Sequence, residues 1–327
     1  MEQDRALRMR SNGVEVASHA PATAQARVAC PVCGTARMRS LSVRTKTPAF
    51  RRCAGCGTGY WTTRWTGEQS LSHYAGYYGR PVQYDPLTER RYEALLARIE
   101  QGRSGRRLLD IGCGAGHFLA VAAGRGWQAT GLEISSSARE VLERLKQDRG
   151  LSFTILEKVL AEAGVPDRSM DLVSLVEVLE HVDEPLALLR DVHRVLDDGG
   201  VVYLTTPNAD SASHRVLGSR WRVVAEEHRC LWTPRGLRQA LLSAGLTPLM
   251  VATKNLDLAE LADKWRRGGA PEAGRVSPRR QAQVMRHAIE RSASLRALKA
   301  AANAVLGACA LGDTIEAIAV KPAGGRA

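Results

Sequence analysis

Leu108-Leu109-Asp110-Ile111-Gly112-Cys113-Gly114-Ala115-Gly116-His117-Phe118 sets a short apolar run, an acid and three alternate glycines in one continuous stretch. An apolar run of this length behind the polar Gln101 to Arg107 is what a parallel strand covered on both faces requires. The glycines let the backbone turn tightly and approach a ligand with no Cβ in the way. Phe118, Val121 and Ala122 then fall at helical spacing, so the loop opens a helix whose amide end faces the ligand. The glycines follow every second residue, whereas a dinucleotide-binding turn reads Gly-x-Gly-x-x-Gly, which argues against NAD.

The acid-x-Gly-x-Gly-x-Gly pattern resembles the first motif of the class I S-adenosylmethionine-dependent methyltransferases, and three further blocks follow in that family's order. Gln128 to Ile134 reads as a second strand ending in Glu133, the position of the acid that accepts ribose hydroxyls in a doubly wound fold. Met170 to Val182 is similar to the family's fourth strand, and Leu196 to Asn208 to its glycine turn, fifth strand and Thr-Pro-Asn exit. The resemblance implies an α/β fold with a doubly wound, seven-stranded Rossmann-like sheet from residue 105 to 327. It also implies S-adenosylmethionine held by Asp110, Gly112, Cys113, Gly114, Gly116, Glu133, Ile134 and, beyond the fourth strand, Glu177. The third strand is expected over Ser152 to Val159, with the adenine beside Leu160 and its acidic neighbour either Glu157 or Glu162.

Glu177-x-x-Glu180-His181 directly follows the fourth strand, where a ligand of an open α/β sheet lies. The cluster resembles those of two metal-assisted O-methyltransferase families, the ubiquinone-biosynthesis enzymes and those that methylate small-RNA 2′-hydroxyls, and His228 stands where the RNA group has a further imidazole. Two readings follow. Glu177, Glu180, His181 and His228 hold a second divalent metal that acidifies an acceptor hydroxyl; or His181 is a hydrogen-bonding residue and His228 a general base or a cap of the next helix. In both, Glu177, His181 and His228 are the catalytic candidates.

Cys30-Pro-Val-Cys33-Gly and Cys53-Ala-Gly-Cys56-Gly lie nineteen residues apart. This spacing predicts a structural zinc held by Cys30, Cys33, Cys53 and Cys56 in a ribbon-like module over 27–60. Four thiolates leave no open coordination position, so the module's role is folding. An aromatic connector over 61–104 follows, similar to those of ribbon-bearing bacterial methyltransferases. By that resemblance Glu89 to Glu100 is a lid helix, with Tyr92, Leu95, Leu96 and Ile99 on one face, and Tyr77 and Tyr78 are candidates for cofactor contact.

With 46 Lys and Arg against 34 Asp and Glu, the chain carries a net +12, concentrated in its flanks. Basic flanks admit phosphate-bearing partners, so an RNA acceptor is the second function class, behind a small-molecule, glycan or secondary-metabolite acceptor; solvated arginine faces explain the charge as well. A non-catalytic scaffold that binds S-adenosylmethionine is the third, and the intact glycine loop and Glu133 speak against it. Residues 1–26 read as a disordered lead without a secretory core. No apolar run reaches the length of a membrane span, and the expected location is the cytoplasm. Thr233-Pro234 opens a helix that ends at Gly245; strands six and seven are expected over Leu246 to Ala252 and Thr314 to Val320. Between the last two, 255–311 reads as a basic helical insertion over the acceptor pocket.

Overall fold

The computed structural model describes residues 29–39, 50–65, 67–74, 85–256, 260–261 and 292–324. The expected disordered lead over 1–26, Tyr77 and Tyr78, and the insertion from 262 to 291 lie outside the described residues.

Along the chain the elements are β1 (Met38–Arg39), β2 (Phe50–Cys53), β3 (Gly59–Trp61), α1 (Gly67–Tyr74), α2 (Pro86–Glu100), β4 (Arg107–Ile111), α3 (His117–Gly124), β5 (Gln128–Leu132) and α4 (Ser136–Arg149). They continue as β6 (Thr154–Leu156), β7 (Met170–Val176), α5 (Pro185–Val195), β8 (Leu196–Pro207), α6 (Ala212–Leu217), β9 (Cys230–Leu231), α7 (Pro234–Ser243), β10 (Thr247–Lys254), α8 (Ala293–Ala308) and β11 (Thr314–Val320). Seven strands form one sheet in the order β10-β11-β8-β7-β4-β5-β6. The pairs from β8 to β6 are parallel, whereas β11 runs antiparallel to both β8 and β10.

Covering on both faces explains the unbroken apolar run at the start of β4. Leu108 packs with α2, α3 and α4, while Leu109 and Ile111 pack with α5 and α7 on the other side. Each such buried leucine contributes about 1.5–3 kcal/mol. The expected glycine turn before the fifth strand is a bulge within β8: Met170 faces Leu196 and Leu172 already faces Val201. The third strand is shorter than expected, with only Thr154–Leu156 laddered onto β5.

Chain order reverses between β4 and β7, which are hydrogen-bonded neighbours. After β4 the chain turns to α3 on one face, and after β7 to α5 on the other, so a crevice opens beyond their carboxyl ends. The expected lid helix, α2, begins at Pro86 under an Asp85 cap and lies against α3, where Tyr92 meets Phe118 edge-on at 4.9 Å. None of its residues lines the crevice, because its apolar face is taken up by the core. The described helix over the crevice is α1, through Gly67, Ser70 and Tyr74.

The cysteine module is a second sheet in the order β1-β2-β3-β9. Its fourth strand, Cys230–Leu231, comes from the far side of the large sheet in sequence, well outside 27–60. No described helix is long and apolar enough to cross a membrane.

Gly116 caps α3 at φ +77°, and a Cβ there would lie 2.5 Å from the Leu142 side chain. Gly116→Ala is expected to destabilise the chain by about 1–3 kcal/mol, from left-handed strain plus overpacking, read as a lower thermal midpoint.

Candidate functional site

A cavity of about 1080 Å³ occupies the crevice. Its walls include Gly112, Glu133, Ile134 and Leu160 around the glycine loop and Glu177, Glu180, His181 and His228 beyond β7.

The glycine end is built by backbone handedness. Gly112, Gly114 and Gly116 all have positive φ, and a Cβ on Gly112 would meet Val178 at 2.6 Å. The loop curls around the acid of the next strand: Glu133 accepts from the Gly114 amide at 2.9 Å and from the Ser135 amide at 2.8 Å. Burial raises its carboxyl and those amides lower it, with a net rise. Asp110 lies beneath the loop and accepts from the Ser174 hydroxyl at 2.6 Å; burial pushes it up to about 7. The Cys113 thiol faces β5, where it would crowd any side chain at Gly131. Asp110, Cys113, Gly114 and Gly116 therefore shape the loop without lining the cavity. On the neighbouring wall Leu160 starts a single helical turn, and Lys158, Val159 and Ala161 join it. Neither expected acid lines this wall: Glu157 pairs with Arg139 at 3.5 Å on the surface, and Glu162 points elsewhere.

At the other end β7 stops at Val176, and Glu177 adopts φ +56°, a left-handed conformation that a non-glycine residue holds only at a cost. Glu177 presents its side chain to the cavity, yet the enclosing protein raises its carboxyl through desolvation. Glu180 is 1 % exposed. One of its oxygens accepts from the Thr206 hydroxyl at 2.9 Å, and Oε1 has no hydrogen-bond partner. Burial, and then the Glu177 charge, raise it well above the usual carboxylate range.

His181 and His228 face each other with ring centroids 4.7 Å apart. Backbone carbonyls meet both Nδ1 atoms: Glu227 on His181 at 2.9 Å and Val223 on His228 at 2.7 Å. An Nδ1–H donated to a carbonyl leaves the Nε2 lone pair as the free donor atom, the usual arrangement of a metal-binding imidazole. The Tyr74 hydroxyl also meets His181 Nδ1 at 2.9 Å. Burial, then the neighbouring His228, lowers His181 to about 4; burial lowers His228 as well. Both rings are thus neutral near pH 7 and fit to bind a cation. Ligand atoms of Glu180, His181 and His228 lie within 4.8 Å of one another. Glu177, the fourth residue of the expected metal set, is not part of this group, although its carboxyl meets that of Glu180.

Among the described residues the four module cysteines form the other such group. Their sulfurs pair as Cys30 with Cys56 at 3.7 Å and Cys33 with Cys53 at 3.4 Å, and none is in a disulfide. Amides of Val32, Gly55 and Cys56 point at the sulfurs of Cys30 and Cys53, as they would at thiolates. The Cys30 contact pulls Cys56 down to about 5, while the same contact raises Cys30. This donor set can hold one tetrahedral zinc.

Several wall residues were not legible from the chain order. Trp65, Tyr74 and Arg222 line the same cavity as His181 and His228. The two aromatics stood in the noted aromatic segment, but their nearness to His181 is a tertiary fact. Tyr78, expected at the cofactor, lies outside the described residues.

Residues 83–251 match a family model described as a methyltransferase domain. Among curated relatives, the chain is similar to the ubiquinone biosynthesis O-methyltransferase of Idiomarina loihiensis, at 32% identity over 42% of this chain and 55% of the relative. It is also similar to the enzyme of that name in Pseudomonas aeruginosa, at 29% identity over 41% of this chain and 56% of the relative. The chain thus spans about half the length of the curated relatives it matches. Among solved structures, a SAM-dependent methyltransferase from Archaeoglobus fulgidus aligns with 76% of this chain and 99% of its own, at 18% identity and a TM-score of 0.47.

The depressed pKa of His181 makes stability pH-dependent. As pH falls from 6.5 towards about 4, the unfolded chain takes up a proton at this ring that the folded chain does not, so stability is lost through that window. Between about pH 7 and about pH 5 the urea midpoint of metal-stripped protein should fall more for the wild type than for His181→Gln; equal falls would contradict the burial argument.

Proposed function

This chain belongs to the methyltransferase-domain family, and on that premise we propose that it transfers a methyl group from S-adenosylmethionine to a hydroxyl of a small-molecule acceptor with help from a divalent metal. One observation carries the reading: a single cavity is lined both by Glu133, around which the glycine loop curls, and by the Glu180, His181 and His228 cluster.

The residues at the first end suit the cofactor. Glu133 is a carboxylate oriented by two amides, with lone pairs left for ribose hydroxyls. Leu132, Ile134 and Leu160 offer apolar surface to an adenine, and the Gly112 turn lets the backbone come close. Carboxyl groups at Asp110, Glu133 and Glu177 favour a cationic sulfonium over a neutral ligand. Bound there, S-adenosylmethionine supplies an electrophilic methyl on a good leaving group, so the protein's work is alignment and the exclusion of water.

At the second end, two neutral imidazoles and a buried carboxylate with a bare oxygen suit a divalent cation of the Mn²⁺ or Zn²⁺ type. Such a cation would supply a Lewis acid that lowers the pKa of an acceptor hydroxyl. A cation there would favour the ionised form of Glu180, whose carboxyl burial raises in the metal-free site. Thr206 fixes one Glu180 oxygen, and the Glu227 and Val223 carbonyls hold both rings. Trp65 and Tyr74 give the acceptor two flat walls, which suit an aromatic alcohol. The names of the curated relatives agree with O-methylation. In this reading residues 105–327 are the transferase domain, the cysteine module is its structural zinc site, and the basic segments choose the acceptor.

The test is a pair of variants read separately for binding and turnover. Glu133→Ala should weaken S-adenosylmethionine binding about tenfold or more by calorimetry, the loss of charge-assisted hydrogen bonds. His228→Ala should leave that binding intact and lower turnover on a phenolic acceptor by about 10²–10⁴. Elemental analysis should give a second, exchangeable divalent ion that a Glu180→Ala, His181→Ala protein lacks. Full turnover in His228→Ala would refute the acceptor-side role, and salt-sensitive RNA binding with methylation of ribose would replace the small-molecule acceptor.

A further inference from the structure

We infer that Trp61 is a positioning residue of the acceptor site, through which the four-cysteine module sets where the His228 imidazole stands. The inference rests on the reading that His228 acts on the acceptor side.

His228 lies in a segment with little regular structure of its own. From Gly218 to Arg229 the chain makes a single helical turn and then successive turns, with Val224 bonding back to Trp221 and His228 to Ala225. A strand of two residues, β9, follows, and such a strand persists only on a partner. The partner is β3 of the cysteine module: Gly59 faces Leu231 and Tyr60 faces Cys230. Trp61 extends this pairing to the catalytic residue. Its amide donates to the Arg229 carbonyl at 3.3 Å, and its indole Nε1–H donates to the His228 carbonyl at 3.1 Å. The indole is 6 % exposed and meets Phe50 edge-on at 5.2 Å, so the donor is itself rigid.

His228 is therefore held at three atoms, its amide by Ala225, its carbonyl by Trp61 and its ring Nδ1 by Val223; only the carbonyl contact comes from outside its own segment. The module in turn cannot drift from the transferase core. Thr233 donates to the Cys56 carbonyl at 3.0 Å, a Cβ at Gly236 would collide with the Thr58 hydroxyl, and Arg52 pairs with Asp210. Arg229, 2 % exposed, bonds to the Thr63 carbonyl, pairs with Asp183 at 3.3 Å and lies over the Trp65 ring at 5.1 Å. The same Asp183 accepts from the Trp65 amide at 2.9 Å. Knuckle, hairpin, β9 and His228 thus form one mechanical unit. The Cys53 knuckle is the turn that joins β2 to β3, and Trp61 stands at the opposite end of that pair, facing Phe50; the pairing of the two strands carries the module's fold to Trp61, so a module that loses its fold releases His228.

Trp61→Phe tests this, because it keeps an aromatic ring against Phe50 and removes only the N–H donor. Hydrogen exchange by mass spectrometry is run on the full zinc-loaded chain with no second metal, cofactor or acceptor. Peptides spanning 221–231 should exchange about three- to tenfold faster than in the wild type, the factor that one lost hydrogen bond of ordinary strength allows. Peptides from β4, β7 and β8 should not change, and zinc content should stay the same. Turnover should fall with little change in KM for S-adenosylmethionine, a split that general destabilisation would not produce. Zinc removal from the wild type by a chelator should give the same local exchange pattern in a larger form. Unchanged exchange over 221–231, or a rise spread equally over the core strands, would overturn the inference. Because the exchange assay contains neither metal nor acceptor, it decides this point even where wild-type protein binds no second metal and the acceptor-side reading of His228 falls.

Discussion

Everything at the site depends on β4 and β7 being parallel neighbours whose following segments leave to opposite faces of the sheet. Two adjacent strand ends that diverge cannot be covered by one connection, so a crevice is left between them. The segments bordering that crevice are forced into unusual backbone. Gly112 turns left-handed after β4 because the chain must reverse beside Val178, and Glu177 does the same after β7 without the glycine that would make it easy. The first cost is met by residue choice. The second is held in place by the Glu177 amide on the Thr205 carbonyl of β8 and by the core beneath Leu179.

The crevice also gathers buried acids. Asp110, Glu133, Glu177 and Glu180 all have raised pKa values, with desolvation the first cause in each. Groups of like charge crowded into one cavity are unfavourable on their own. Their cost is offset when positive charge enters, and both expected occupants, a sulfonium and a divalent cation, are positive. The neutral imidazoles fit the same logic, since a protonated ring would repel either. The shape of the site is thus set by glycine turns, and its preference for a cation by buried carboxyl groups.

Much of this was legible in the residues. The run from Leu108 to Phe118, the acid at Glu133 and the antiparallel strand Thr314–Val320 carried periodicity and turn chemistry that local sterics enforce, and each appears where it was expected. The cysteine spacing brought four sulfurs together for the same reason: a Cys-x-x-Cys turn leaves two thiols on one side. Less legible was which side chains reach the cavity. Asp110 and Cys113 belong to the motif, yet both face inward, because alternation along β4 and its loop alone decides the direction. The α2 stripe of Tyr92, Leu95, Leu96 and Ile99 is amphipathic whether a helix caps a pocket or packs on a core, so the pattern could not choose, and core packing prevailed.

By itself the chain order determined the α/β class, the strand succession, the glycine loop and the two sets of ligand-type residues, since these follow from patterns a few residues long. Tertiary structure alone decided that His228 meets His181 across more than forty positions, that Glu177 touches the cluster only through Glu180, and that a strand from residue 230 completes the sheet of a module near residue 50. Such pairings arise from the closure of long loops, and their partners are selected by which buried donors and surfaces remain unsatisfied once the sheet has formed.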